Sequence, residues 1–216
     1  MQVIQINSSP ADANAYLIIA PKPLLIDVGI NAKYVLDRIE DIMDPANIEL
    51  IILTHAHYDH WGAVEEISRQ TGAKIAIHTK DAGLLSDDIS SVAAMFGAQG
   101  ACFQPDIILN DSELIGLGNG SDLEVINTPG HTQGSICLYH SQSRSLFSGD
   151  TVFPEGSFGR TDLPTGDGRS LVDSLKRLAG LDVDILYPGH GYVTKDDVPG
   201  QIRLSLQFAG SFIHDL

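Results

Sequence analysis

Apolar and polar positions change period several times along this chain, and each change predicts an element. Val3, Ile4 and Ile6, then residues 15–19 and 24–28, form short apolar runs. They are separated by Ser8, Ser9 and Pro10 and by Pro21, Lys22 and Pro23, which predicts three strands in an antiparallel opening. Beyond Asn31, a good N-cap residue, Val35, Leu36, Ile39 and Met43 recur at helical spacing and stop before Pro45. Residues 48–53 are aliphatic almost throughout and predict a buried strand. From Gly62 the apolar positions Ala63, Val64 and Ile67, interleaved with Glu65, Glu66, Arg69 and Gln70, predict a helix that ends at Gly72. Residues 74–78 predict a strand and residues 79–85 a short helix.

The pattern then weakens. Across residues 86–105, Ile89, Val92, Ala93, Met95 and Phe96 allow one helix, and the segment suits either a lid or a linker between halves. A second strand-rich half comes next, with runs at 107–109, 114–117, 123–128, 135–140 and 145–148 that predict a meander. Leu171, Leu175 and Leu178 mark one face of a helix at 170–179, and residues 183–187 predict a further strand. The chain beyond His190 suffices for one helix, whose Leu204, Leu206, Phe208, Phe212 and Ile213 suit packing on the same domain or on a partner. Two halves of this kind predict an α/β protein of two packed sheets covered by helices.

Composition narrows the class. At 216 residues, with 43% hydrophobic and 19% charged positions, the chain fits a single globular domain over 1–216. No run approaches the ~20 apolar residues that span a bilayer, and the N-terminus alternates like a strand rather than a signal peptide, so a cytoplasmic location is expected. Cys102 and Cys137 are too few for a disulfide framework and are expected to be reduced and structural. A net charge of −15 without any Lys/Arg cluster argues against nucleic acid and anionic membranes as partners, leaving a small molecule. Oligomeric state is left open.

Chemistry concentrates at the junction after residue 53. His55, His57, Asp59 and His60 occupy six positions where a predicted strand gives way to a predicted helix. Crowding three imidazoles and a carboxylate so tightly is costly unless a cation sits among them. Three more candidates, His131, Asp150 and His190, each come directly after a glycine in a turn that ends an apolar run. Each of those alone reads equally well as an ordinary turn residue. Together the seven exceed one four-coordinate ion and match two ions with a bridging carboxylate. Imidazole-rich ligation without sulfur suits zinc first, with iron or manganese as alternatives. Asp27 ends a buried strand and reads as a cap or turn residue, and His78, outside any cluster, as structural.

The segments Asp27-Val28-Gly29, THAHYDH at 54–60, Gly130-His131, Gly149-Asp150 and Gly189-His190 resemble the metallo-β-lactamase superfamily in kind and order. The resemblance implies an αββα four-layer sandwich of two similar halves. It implies one metal on His55, His57 and His131, another on Asp59, His60 and His190, Asp150 bridging, and Asp27 behind the ligands. Residues 149–167 are similar to the glyoxalase II group, especially its short prokaryotic members, and to the persulfide dioxygenases. Asp150 separates the chain from lactamases that carry Cys there, and the full HxHxDH from flavodiiron oxidases. Longer glyoxalase II proteins carry a C-terminal helical region that helps bind glutathione, whereas here 26 residues follow His190, enough for one helix. The implied activity is thioester hydrolysis by a metal-bridged hydroxide, with Asp59 orienting it and shuttling its proton. The alternatives are a mononuclear iron persulfide dioxygenase reusing His57, His131 and Asp150, a lactonase, and a purely structural metal. Tyr58 and Trp61 suit a pocket wall or the core, and Arg160 either a substrate carboxylate or a salt bridge to Asp162 or Asp167.

Overall fold

The computed structural model describes residues 1–6, 12–118 and 120–214, so the predicted turn at Ser8 to Pro10 and the side chain of Ile213 lie outside the described residues. The chain divides into two compact units, residues 1–109 with 116–121, and residues 110–115 with 122–216.

In the first unit the strands β1 (Gln2–Ile6), β2 (Ala15–Ile19), β3 (Leu24–Ile26), β4 (Leu50–Leu53), β5 (Lys74–His78) and β6 (Ile107–Leu109) form one sheet in that order. The first three pair antiparallel, as their spacing predicts, and β3 to β6 pair parallel. Parallel neighbours need crossovers. Helix α1 (Ala32–Glu40) supplies the first, capped by Asn31 Oδ1 accepting from Tyr34 N–H at 3.1 Å. Helix α3 (Val64–Thr71) supplies the second and stops at Gly72, whose φ of +78° suits a residue without Cβ. Val35, Leu36 and Ile39 of α1 and Val64 and Ile67 of α3 bury against Leu17, Leu25, Ile51 and Ile77, which is why both helices carry their apolar residues on one face. Met43 lies past the end of α1 yet still packs on this core.

Several expectations change. Strand β3 ends at Ile26, because Asp27 turns the backbone at φ +52°. A four-residue helix, α2 (Tyr58–Trp61), precedes α3, so helical structure begins inside the ligand motif and not at Gly62. Residues 86–105 hold a 3-10 turn at Ala93–Phe96 in place of a full helix, and helix α4 stops at Ala82 (Thr79–Ala82). This stretch leads into β6, which pairs with β5, so it is a crossover inside the first unit and not a linker between halves.

In the second unit the sheet order is β11-β10-β9-β8-β7, where β7 is Leu114–Gly116, β8 Asp122–Asn127, β9 Ile136–His140, β10 Ser145–Gly149 and β11 Ile185–Pro188. Strands β8, β9 and β10 pair antiparallel, and β10 and β11 parallel, crossing over through helix α5 (Gly168–Leu178). Leu171, Leu175 and Leu178 of α5 bury with Val198, Ile202 and Ala209 of the last helix, α6 (Val198–His214), and with Ile126, Leu146 and Leu186 of the sheet. Leu206 packs partly on this core, whereas Leu204, Phe208 and Phe212 are exposed. The outer side of β11 is closed by a single bridge in which Leu186 and Thr194 exchange backbone hydrogen bonds at 3.0 and 3.2 Å. Both cysteines are free; Cys102 is exposed, while burial pushes the Cys137 thiol up to about 11. No described helix is long and apolar enough to cross a membrane.

Candidate functional site

In the first unit, β4 carries residues 54–57 to the carboxyl end of the parallel strands, the usual place for a site in sheets of this kind. The single turn of α2 then folds Asp59 and His60 back toward His55. The imidazole centroids of His55 and His60 are 4.1 Å apart and those of His55 and His57 4.8 Å, and His60 Nε2 lies 3.8 Å from Asp59 Oδ2. The structure thus gathers all four sequence-predicted residues of this unit.

Behind them sits Asp27, whose role is neither cap nor simple turn. Its Oδ1 accepts from Thr54 N–H at 2.8 Å, and its Oδ2 accepts from Thr54 Oγ1 at 2.7 Å and His60 Nδ1 at 2.8 Å. Because the Thr54 hydroxyl donates to Asp27, it accepts from His55 Nδ1, 3.1 Å away. One buried carboxylate therefore fixes the tautomers of two histidines, placing a proton on each Nδ1 and leaving each Nε2 with its lone pair outward. A carboxylate or hydroxyl behind an imidazole is the usual support of a metal ligand.

Ala56, between His55 and His57, is pinned from both sides. Its N–H donates to Asp81 Oδ2 at 2.9 Å, and its carbonyl accepts from Trp61 Nε1 at 2.7 Å. Trp61 is buried in the first unit's core, which assigns it to packing. Tyr58 packs edge-on to Trp61 and at 5.5 Å from Phe96. His78 caps α4, its Nδ1 facing Lys80 N–H at 3.4 Å.

In the second unit, His131 comes after β8, Asp150 after β10 and His190 after β11. Gly189 N–H donates to the Gly149 carbonyl at 2.8 Å, tying two of these turns together. Asp150 Oδ2 stands 3.6 Å from His131 Nε2 and 3.6 Å from His190 Nε2. Both separations exceed a hydrogen bond. They are close to the ~3.4 Å between two ligand atoms of one tetrahedral ion with bonds of ~2.0 to 2.2 Å. His131 Nδ1 donates to the Arg160 carbonyl at 2.7 Å, which leaves its Nε2 to face Asp150. Donor types, tautomers and spacing in both units therefore fit divalent metal ions.

Glycine is needed at this site for close approach. A Cβ on Gly159 would stand 1.8 Å from the Asp150 carbonyl oxygen and 3.1 Å from His131 Cβ. Gly159→Ala is accordingly expected to destabilise the protein by about 1–3 kcal/mol, as overpacking does, and to weaken metal uptake by moving Asp150. Thermal melts with and without added zinc check both effects.

The Arg160 guanidinium pairs with Asp162 through two contacts of 2.7 Å and holds that carboxyl down at about 2. Asp167 instead caps α5, accepting from Ser170 N–H at 2.7 Å. Of the two carboxylates near Arg160 in sequence, the structure selects Asp162. Sequence reasoning missed Asp81 and the Arg160 carbonyl. Asp81 has a faint signal, an acidic residue just after a buried strand; a backbone carbonyl has none.

The family model of the metallo-beta-lactamase superfamily matches residues 9–190. A probable metallo-hydrolase of Methanocaldococcus jannaschii is 37% identical over 220 residues, covering 98% of this chain and all of that protein. Hydroxyacylglutathione hydrolase GloC of Haemophilus influenzae is 33% identical over 87% of both chains. Among solved structures, the BLEG-1 B3 metallo-beta-lactamase superposes with a TM-score of 0.82 at 30% identity, over 93% of this chain and 95% of that one. A structure solved in a di-iron-bound form superposes with a TM-score of 0.77 at 29% identity, over 95% and 97%. With two α/β units, His and Asp clusters suited to divalent metals, and a family model spanning most of its length, this chain belongs to the metallo-β-lactamase superfamily of metallo-hydrolases.

Proposed function

We propose that this protein is a thioester hydrolase of the glyoxalase II type, dependent on two divalent cations, zinc first and iron or manganese as alternatives. On this reading, taken from the order of the motifs along the chain, His55, His57 and His131 would hold one ion and Asp59, His60 and His190 the other, with Asp150 shared by both. The observation that carries the reading is the placement of Asp150, whose Oδ2 is equidistant from two imidazole nitrogens at the separation of ligands sharing an ion. Similarity to a hydroxyacylglutathione hydrolase supports the thioester as substrate.

When bound, the cations would acidify a water from a pKa of ~15.7 toward neutrality and stabilise the developing oxyanion. The chain's own work is positional. Asp27 and Thr54 hold His55 and His60 in one tautomer, and the Arg160 carbonyl does the same for His131. Asp59, partly exposed on the first turn of α2, orients the attacking water and carries its proton on a carboxylate oxygen. Water adds to the thioester carbonyl, the C–S bond breaks, and the thiolate leaves and is protonated.

The test is metal content per chain in protein purified without added metal, followed by thiol release from a panel of small hydroxyacyl thioesters. Two ions, release abolished by chelation and release restored by zinc are the expected results. A fully loaded protein that releases thiol from no thioester overturns the reading. One iron per chain with oxygen consumption on a persulfide replaces it by the dioxygenase that uses His57, His131 and Asp150.

A further inference from the structure

The second unit has a small, open, mostly apolar cleft beside His190. Its volume is about 290 Å³, and Phe153, Pro154, Ser157, His190, Gly191 and Tyr192 line it. The Phe153 ring lies 6.4 Å from the His190 imidazole. Tyr192, though 53% exposed, is anchored: its hydroxyl donates to Glu155 Oε1 at 2.9 Å, and Glu155 N–H donates to Gln201 Oε1 on α6 at 2.9 Å. Glu155 holds a left-handed backbone, φ +61°, and Gly191 another, φ +80°. A glutamate kept in that strained region beside a cleft is a pointer to function, because surface turns have easier solutions.

We propose that this cavity is the subsite for an uncharged apolar group of the substrate, a short alkyl or aryl portion next to the scissile bond, and that Tyr192 sets its preference. The proposal rests on the hydrolase reading, which makes His190 a ligand and so places a group bound here beside the reacting bond. The volume lies just below the ~300–1,000 Å³ typical of whole-ligand pockets, so it accepts a part of a molecule. Two aromatic rings and a proline supply apolar contact. The Glu155 carboxylate at the Tyr192 hydroxyl disfavours an anionic substituent, so the charged ends of the substrate lie elsewhere.

The experiment uses the metal-loaded protein and non-hydrolysable thioethers of one small thiol carrying S-methyl, S-butyl or S-carboxymethyl groups, measured by calorimetry. KM and kcat are read in parallel on the matching thioesters. The wild type is expected to bind the butyl compound at least about tenfold more tightly than the other two, from burial of a few methylenes. Tyr192→Ala is expected to collapse that ratio through KM, Glu155→Ala to reduce it, and Tyr192→Phe, which keeps the ring, to preserve it. No chain-length preference in the wild type, or an intact one in Tyr192→Ala, overturns the proposal. A butyl preference in binding with no thioester turnover supports the subsite and overturns the hydrolase reading, so the two fail separately.

Discussion

Replacing Asp150 with alanine is expected to lower metal retention below two ions per chain and to cut hydrolysis with it. The side chain is nearly buried, and its Oδ2 has the same 3.6 Å separation from His131 Nε2 and His190 Nε2. Residues that merely support ligands cost ~10–100-fold in metal affinity or activity when removed. On the proposed bridging role, loss of Asp150 is expected to exceed the upper end of that range, above about 100-fold in kcat/KM. Elemental analysis of the purified variant should find fewer than two ions per chain, with a far-ultraviolet circular dichroism spectrum like that of the parent. A variant that kept both ions and its rate would remove Asp150 from the centre.

Asp27 is expected to give the second largest effect, and two substitutions separate its parts. Asp27→Ala strands three donors, Thr54 N–H, the Thr54 hydroxyl and His60 Nδ1–H, in a buried setting. At about 1–3 kcal/mol for each unsatisfied group, the loss is expected to be at least about 3 kcal/mol, read as a lower urea midpoint. Asp27→Asn suits the left-handed backbone at this position and keeps an acceptor for Thr54 N–H. Its amide cannot accept from both the Thr54 hydroxyl and His60. The asparagine variant should therefore lose less stability yet bind metal ~10–100-fold more weakly, since the histidine tautomers are no longer fixed. Equal zinc affinity in parent and Asp27→Asn, measured by competition with a chelator, would show that the carboxylate acts only as a structural tie.

The elements legible in the sequence are those whose signal is local. β2 and β5 have the predicted bounds because an apolar run between turn residues needs no partner to be recognised. The seven ligand candidates were legible for the same reason, being unusual residue types beside glycines or packed into one motif. Asp27 was not, since its partners Thr54 and His60 are 27 and 33 residues away and a single carboxylate gives no hint of them. Ile107–Leu109 looks like the start of the second half because three apolar residues carry no information on which strand they pair with; the register with β5 decides it. Helix α2 is one turn of ligand-rich residues, too short for any periodicity to show. Residues 86–105 are held by contacts distant in sequence, Tyr58 N–H to the Ser91 carbonyl at 2.8 Å and Ala101 N–H to the Leu85 carbonyl at 2.7 Å, and no propensity encodes those.

The Leu186–Thr194 bridge bears on how the loop carrying His190 behaves. Chain that leaves the sheet at Pro188 is fastened back onto it by Thr194, so His190 sits in a loop stapled at both ends. A stapled loop opens only when the staple does. The amides of Leu186 and Thr194 should therefore exchange with deuterium on the slow timescale of the strand itself. The same staple occupies the outward backbone N–H and carbonyl of Leu186, so a strand from another molecule would have to displace Thr194 to pair there.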